Sequence, residues 1–96
     1  MKPPKIISAQ VLDDRTLLIE FSQNQIKKYD ISQLLSKEMF APLLNTSFFK
    51  NFRIEPGGYG LVWNEDIDIS EYELWKNGVD LQDGERLLLS LVTKTF

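Results

Sequence analysis

Apolar and polar residues alternate along two runs near the start of the chain, and a polar joint at residues 13–16 separates the runs. Alternation at every second position is typical of β-strands that bury one face, and the joint predicts a hairpin turn. The residues expected on the core side are Ile7, Ala9 and Val11 of the first strand and Leu17, Ile19 and Phe21 of the second.

A second turn is predicted at the sequence SQNQ, residues 22–25, and it leads into a short third strand. Tyr29 and Ile31 are expected to point inward, while Lys28 and Asp30 point outward. The first third of the chain therefore predicts a three-stranded antiparallel meander.

The spacing of apolar residues then changes, because they recur every three to five positions over residues 34–44. This spacing predicts one amphipathic face on a helical segment that Pro42 interrupts. Asp30 or Ser32 can cap the start of the segment. The aromatic residues that follow are expected to close the core: Phe48, Phe49 and Phe52.

The sequence FRIEPGGYGLVWN, residues 52–64, predicts a strand, a glycine turn and a second strand. A dinucleotide-binding loop would need glycine at the first, third and sixth positions. The sixth residue counted from Gly58 is Trp63, so that interpretation fails. Trp63 is instead expected in a central strand, facing the apolar helical segment.

The sequence VWNEDIDISEYELW, residues 62–75, places five acidic side chains between two tryptophans. A calcium loop counted from Asp66 would need glycine at its sixth position and glutamate at its twelfth. Glu71 and Asn77 stand there instead. The sequence therefore argues against a calcium site of this type.

A general acid/base pair is a second interpretation of the same carboxylates, because burial raises the pKa of a carboxyl group. Asp66 and Asp68, however, alternate with Ile67 and Ile69, which predicts a strand with both carboxylates on its solvent side. We therefore favour a structural role for these residues.

The remaining acidic residues of the segment fit the start of a helix. Ser70 and Glu73 have the spacing of a capping box, in which each side chain binds the other residue's backbone N–H. Glu71 and Glu73 would complement the positive end of the helix, and Asn77-Gly78 would end it.

The last stretch, residues 79–96, is the most apolar part of the chain, and its period is ambiguous. Leu87, Leu88, Leu91 and Val92 fit one face of a helix, whereas Leu87, Leu89 and Leu91 fit one face of a strand. The predicted organisation is a single domain over residues 1–78 and an apolar extension over residues 79–96. The extension is expected to pack on its own domain or at an interface.

Composition narrows the possible chemistry. The chain has 96 residues, 43% of them hydrophobic, which is enough for one globular domain. It contains no cysteine and no histidine, so thiolate nucleophiles, disulfides and imidazole bases are excluded. A net charge of -3 opposes binding to a phosphate backbone.

No signal-peptide or membrane-spanning run is present in the sequence, and the expected location is the cytoplasm.

Four stretches of the sequence resemble a bacterial family, Domain of Unknown Function 2442, over about residues 5–78. They are the opening hairpin SAQVLDDRTLLIEF, then YDISQLL, then MFAPLLN with the later FF, and above all GYGLVWNEDIDISEYELW. In this chain Glu65-Asp66 stands where many relatives have a turn that ends in glycine. The resemblance implies a compact α+β fold and carries no catalytic residues.

Relatives of this kind consist of the domain alone or place it ahead of a DNA-binding helix-turn-helix, and many are encoded beside another small protein. The resemblance thus implies a paired, toxin–antitoxin-like role. The fold class predicted is α+β, a small antiparallel sheet (the three-stranded meander plus the later hairpin) packed against two or three short helices.

The function expected from the sequence is a non-enzymatic protein-interaction or regulatory module. The alternative is a small enzyme or ligand-binding domain that uses surface carboxylates. The expected partner is another small bacterial protein or a second copy; no cofactor, metal or membrane contact and no direct nucleic-acid binding is predicted. The candidate interaction or structural residues are Trp63, Asp66, Asp68, Tyr72, Trp75, Leu87 and Leu91.

Overall fold

Two antiparallel sheets and several short helical segments form the α+β domain in the computed structural model, which describes residues 4–81. The first sheet has the strand order β1-β2-β3-β7, and the second has the order β4-β5-β6. The strands are β1 (Ile6–Asp13), β2 (Thr16–Phe21), β3 (Gln25–Asp30), β4 (Arg53–Ile54), β5 (Gly60–Val62), β6 (Asp68–Ser70) and β7 (Val79–Asp80). The α-helices are α1 (Thr46–Lys50) and α2 (Glu71–Asn77), and two 3₁₀ helices span Ile31–Leu34 and Glu38–Leu44. The predicted fold class is confirmed.

The predicted meander is confirmed, with both of its turns. The β1–β2 turn is held by Asp13, whose Oδ1 accepts a hydrogen bond of 3.0 Å from the backbone N–H of Arg15. That bond lowers the pKa of the Asp13 carboxyl below its ordinary value. In the β2–β3 turn, Gln23 and Asn24 have φ angles of 67° and 61°. Two consecutive residues with positive φ match the twist of a tight hairpin.

One residue of the hairpin was predicted wrongly. Ile7 was expected in the core, but it is 58% exposed, and Ile6 is buried in its place. The reason is a register shift, because Ile6 pairs with Phe21 whereas Ser8 pairs with Glu20. Ile7 is thus an extra residue in β1, and such a bulge changes which face the residues before it occupy.

The core lies on one face of the first sheet, as predicted, and the second sheet and the helical segments cover that face. Five residues that were expected to point inward are fully buried: Leu17, Ile19 and Phe21 of β2, and Tyr29 and Ile31. The buried cluster consists of Ile6, Leu17, Ile19, Phe21, Tyr29, Ile31, Leu34, Phe40, Leu43, Phe49, Leu61, Trp63, Ile67, Ile69 and Leu74. Ala9, Val11, Phe48 and Phe52 are partly buried against it, as expected.

The predicted helical segment over residues 34–44 forms, but as 3₁₀ helix rather than as one α-helical face. A 3₁₀ helix has three residues per turn, so Phe40 and Leu43 share a face and are buried. Met39 and Leu44 lie off that face and are each 52% exposed, against the prediction. Asp30 caps the first of the two helices, since its Oδ1 accepts a 2.8 Å bond from the N–H of Ser32.

The turn between β4 and β5 joins the two sheets. Gly57 and Gly58 have φ angles of 87° and 77°, and the carbonyl oxygen of Gly58 accepts a 3.0 Å bond from the N–H of Ile6. A Cβ on Gly58 would lie 2.5 Å from the carbonyl oxygen of Ile6. Only glycine therefore fits at this close approach.

The last described strand is β7, which pairs antiparallel with β3 through Val79 and Asp80. The first sheet thus includes the first two residues of the predicted extension. Leu87 and Leu91, and with them the choice between helix and strand, lie outside the described residues. Within residues 4–81, no helix is long and apolar enough to cross a membrane.

Candidate functional site

The acidic turn between β5 and β6 is organised by one side chain. Oδ1 of Asn64 accepts 2.8 Å hydrogen bonds from the backbone N–H groups of both Asp66 and Ile67. The N–H of Trp63 donates to the carbonyl oxygen of Ile67 at 2.9 Å and closes the turn. The turn is therefore stable without any contribution from the acidic side chains themselves.

Asp66 and Asp68 are exposed, and Ile67 and Ile69 are buried, as the alternation predicted. Asp68 lies along a shallow groove on the outer side of the second sheet. The groove is lined by Arg53, Glu55, Val62, Asn64, Glu65 and Asp68. Across the described part of the chain, no three acidic side chains are grouped closely enough to hold a metal ion.

Ser70 is the N-cap of helix α2, and its Oγ accepts a 3.1 Å bond from the N–H of Glu73. This half of the predicted capping box is confirmed. The other half is wrong, because Oε2 of Glu73 accepts a 2.7 Å bond from the hydroxyl of Tyr29 and a 2.9 Å bond from Nδ2 of Asn77. A hydrogen bond from the Tyr29 hydroxyl to a carboxylate is charge-assisted and is therefore stronger than one between neutral groups.

The bond between Tyr29 and Glu73 has an electrostatic consequence. Burial raises the pKa of the Tyr29 phenol well above its ordinary value, and the hydrogen bond and negative charge of Glu73 raise it further. Tyr29 therefore stays protonated and donates its hydrogen bond at every physiological pH. It connects α2 to the centre of the first sheet.

The two tryptophans both occupy structural positions. Trp63 is only 8% exposed, and its Nε1 donates a 2.8 Å bond to the carbonyl oxygen of Phe49. Its ring stacks on Phe49 at 6.3 Å between centroids and contacts Phe52 at 5.6 Å. Trp75 is half-buried, and its Nε1 donates to Oε1 of Gln25 at 3.0 Å.

Lys27 completes the attachment of α2 to β3. Its Nζ donates a 2.7 Å bond to the carbonyl oxygen of Trp75 and lies 5.4 Å from the centre of the Trp75 ring. The same ammonium is 3.7 Å from the carboxylate of Asp80 in β7. Lys27 thus neutralises the negative C-terminal end of the helix.

Tyr72 differs from the tryptophans, because it is 50% exposed. Its backbone neighbour Glu71 donates its N–H to the carbonyl oxygen of Tyr59 at 2.9 Å, and Tyr59 is 53% exposed. Nζ of Lys5 lies 3.9 Å from the centre of the Tyr59 ring and 3.3 Å from Oε1 of Glu71. We call Lys5, Tyr59, Glu71 and Tyr72 the tyrosine surface.

Tyr59 was missed by reasoning from the sequence. The sequence feature that could have identified it is GGYG, residues 57–60, in which an aromatic residue stands between glycines and outside any alternating pattern. A Cβ on Gly57 would lie 2.5 Å from the Tyr59 ring. The ring therefore lies against the turn, at a place that only glycine leaves open.

A model of the family described as "Protein of unknown function (DUF2442)" matches residues 6–80 of the chain. The match confirms the resemblance seen in the sequence, and it extends past residue 78 to include β7. Comparison with curated proteins and with solved structures gave no match.

Proposed function

The chain belongs to the DUF2442 family, and we propose that its domain is a non-enzymatic interaction or regulatory module that binds another protein through the tyrosine surface. The observation that carries this proposal is the pair of half-exposed rings, Tyr59 and Tyr72. Tyrosine is enriched at protein interfaces, because its ring gives a large contact area and its hydroxyl can bond at the rim.

The tyrosine surface is held in place before any partner arrives. The backbone of Tyr59 is fixed by its bond from Glu71, and its ring lies between Gly57 and the Lys5 ammonium. Lys76 lies 5.5 Å from the centre of the Tyr72 ring. Side chains that are ordered beforehand lose less conformational entropy on binding, which favours affinity.

The charges favour a protein partner over a nucleic acid. Lys5 is paired with Glu71, and the whole chain has a net charge of -3. A phosphate backbone would need several unpaired cations on one surface. We propose that the partner is another small bacterial protein or a second copy of this chain, that binding takes place in the cytoplasm, and that the two partners form a toxin–antitoxin-like pair.

Affinity purification from the source cells tests this function. Tagged full-length protein is compared with the double variant Tyr59→Ala/Tyr72→Ala and with a control, Met39→Ala/Leu44→Ala, which removes two apolar side chains of equal exposure. We expect a specific partner whose recovery falls at least tenfold with the tyrosine variant and is unchanged with the control. Equal recovery from all three proteins would contradict the proposal. Light scattering on the same proteins shows whether the partner is a second copy of this chain.

A second candidate function is binding of a small ligand or catalysis at the carboxylates of Asp66 and Asp68. One observation favours it, namely the groove that Asp68 shares with Arg53 and Glu55. The other acidic residues of the segment weaken it, because Glu71 and Glu73 are held in contacts with Lys5 and Tyr29 that stabilise the fold.

A further inference from the structure

The first sheet has a second face, turned away from the core, which we call the outer face. Because side chains alternate along a strand, the neighbours of the inward residues Leu17 and Ile19 point to it. At its centre lies Leu18, in register with Gln10 of β1 and Lys28 of β3. Around these residues are Leu12, Ile26 and Val79.

Leu18 is unusual among the buried residues. It is only 5% exposed, yet in the described part of the chain it is the one buried apolar residue outside the core cluster. Leu12 and Val79 are exposed, and both contribute to a shallow depression whose polar rim consists of Asp13, Thr16, Lys28 and Asp30. The outer face is therefore apolar at its centre, whereas the outward side of a sheet in a soluble domain is usually polar.

We propose that the outer face is the docking surface for residues 82–96 of the same chain. This proposal is independent of the tyrosine surface, which involves other elements. The starting point is Leu81, whose N–H donates to the carbonyl oxygen of Ile26 at 3.3 Å. Leu81, the last described residue, therefore lies beside β3, at the margin of the outer face.

Residues 82–96 are long enough to cross the outer face. Fifteen residues follow Leu81, and at roughly 3.3 Å per residue they reach about 50 Å when extended. As a helix they would span about 22 Å. Four strands at a spacing of about 4.8 Å are only about 14 Å across. Either conformation can cross the sheet.

The composition of the segment also matches the outer face. LLLSLV, residues 87–92, is the most apolar run in the chain, and it complements the apolar centre around Leu18. A segment joined to the sheet by a short connection is present at an effective concentration in the millimolar range. Docking within one chain is therefore favoured over docking of a separate molecule at micromolar concentration.

Cross-linking of the full-length protein tests the proposal. Because the chain has no cysteine, two can be introduced without interference. The first cysteine replaces Gln10, which is exposed on the outer face. One protein combines Gln10→Cys with Leu89→Cys, and a second combines it with Ser90→Cys. The control places the first cysteine at Lys50, an exposed residue of α1 on the core side of the sheet. A short bismaleimide is added, and products are identified by mass spectrometry.

We expect a cross-link within one chain from at least one Gln10→Cys protein, at a yield at least fivefold above that of its Lys50→Cys control. Cross-links that join two chains instead would show that the segment of a second copy occupies the outer face, and would overturn the proposal. Yields equal to the control for both tail positions would also overturn it. Unchanged melting temperatures confirm that the variants compared are folded.

Discussion

Trp63 and the two tyrosines of the tyrosine surface are close in the sequence, but they differ in burial and in hydrogen bonding. The Trp63 ring is enclosed by Phe49 and Phe52, and its one polar group is bonded to a backbone carbonyl. Tyr59 and Tyr72 leave half of their surface in water, and each has a lysine ammonium near its ring. The first region stabilises the fold, and we propose that the second binds a partner.

The difference shows that aromatic content alone does not identify a binding surface. Both tryptophans of the acidic segment are prominent in the sequence, and both have their N–H bonded inside the domain. A buried aromatic residue whose donor is satisfied contributes to stability, whereas an exposed one on a fixed backbone contributes to recognition. Substitutions should separate these two effects.

The largest effect is expected from Trp63→Ala. Loss of a buried aromatic side chain costs about 3 to 5 kcal/mol, which is close to the whole stability of a domain of this size. Thermal or urea unfolding followed by circular dichroism measures the loss. Trp63→Phe serves as the comparison, because it keeps an aromatic ring in the core while it removes the bond to Phe49 and part of the buried area; we expect it to lose less stability than Trp63→Ala. An unchanged melting temperature for Trp63→Ala would mean that Trp63 is exposed.

Tyr29→Phe should have the next largest effect, because it removes a partly buried hydrogen bond to a carboxylate and leaves the ring in place. We expect a loss of about 2 kcal/mol in the free energy of unfolding. If Tyr29→Phe is as stable as the wild type, the attachment of α2 to the sheet does not depend on Glu73.

The same variant should change the response to alkaline pH. The folded state raises the pKa of Tyr29 above its ordinary value of 10.0. Below that value both states keep the proton, so this contribution to stability is fully present. Above it the unfolded state loses the proton first, and the free energy of unfolding falls as pH rises. The melting temperature of the wild type should therefore fall more steeply above about pH 10 than that of Tyr29→Phe.

A smaller loss is expected from Ser70→Ala, which removes the N-terminal cap of α2. Cap removal costs about 1 kcal/mol. Ser47→Ala in α1 is a matched control, since Ser47 is exposed and lies inside a helix that Asn45 caps. Equal unfolding free energies for the two variants would show that the cap is dispensable.

The smallest effect is expected from Asp66→Asn/Asp68→Asn, because both carboxylates are exposed and outside the hydrogen bonds that hold the turn. We expect the fold to be unchanged, and millimolar calcium or magnesium to leave the melting temperature of the wild type unchanged. A ligand at a hundredfold its dissociation constant would add about 2.7 kcal/mol. A rise with calcium that the double variant abolishes would restore the cation site.

Local patterns in the sequence predicted the local features of the structure. The alternation of β2, the turn at residues 13–16, the Ser70 cap and the exposed positions of Asp66 and Asp68 all depend on neighbours a few residues apart. Such neighbours are visible in the sequence, because strand and helix geometry fix which residues share a face.

Features that depend on distant parts of the chain could not be predicted. The bulge at Ile7 brings β1 into register with β2 and against the turn at Gly58. The Glu73 carboxylate binds Tyr29, 44 residues away, rather than the backbone next to it. The Tyr59 ring packs against Gly57 and against the ammonium of Lys5, from the start of the chain. In each case a tertiary contact overrides the local preference.

Partner binding by the tyrosine surface is best measured as the affinity of the co-purified partner, or of a second copy, for three purified proteins. These are the wild type, Tyr59→Ala/Tyr72→Ala and Met39→Ala/Leu44→Ala, with the melting temperature of each recorded beside it. We predict that the tyrosine variant melts close to the wild type and binds at least tenfold more weakly, while the control binds normally. A tyrosine variant that binds as tightly as the wild type, or one that weakens binding only because it has unfolded, would contradict a binding role for Tyr59 and Tyr72.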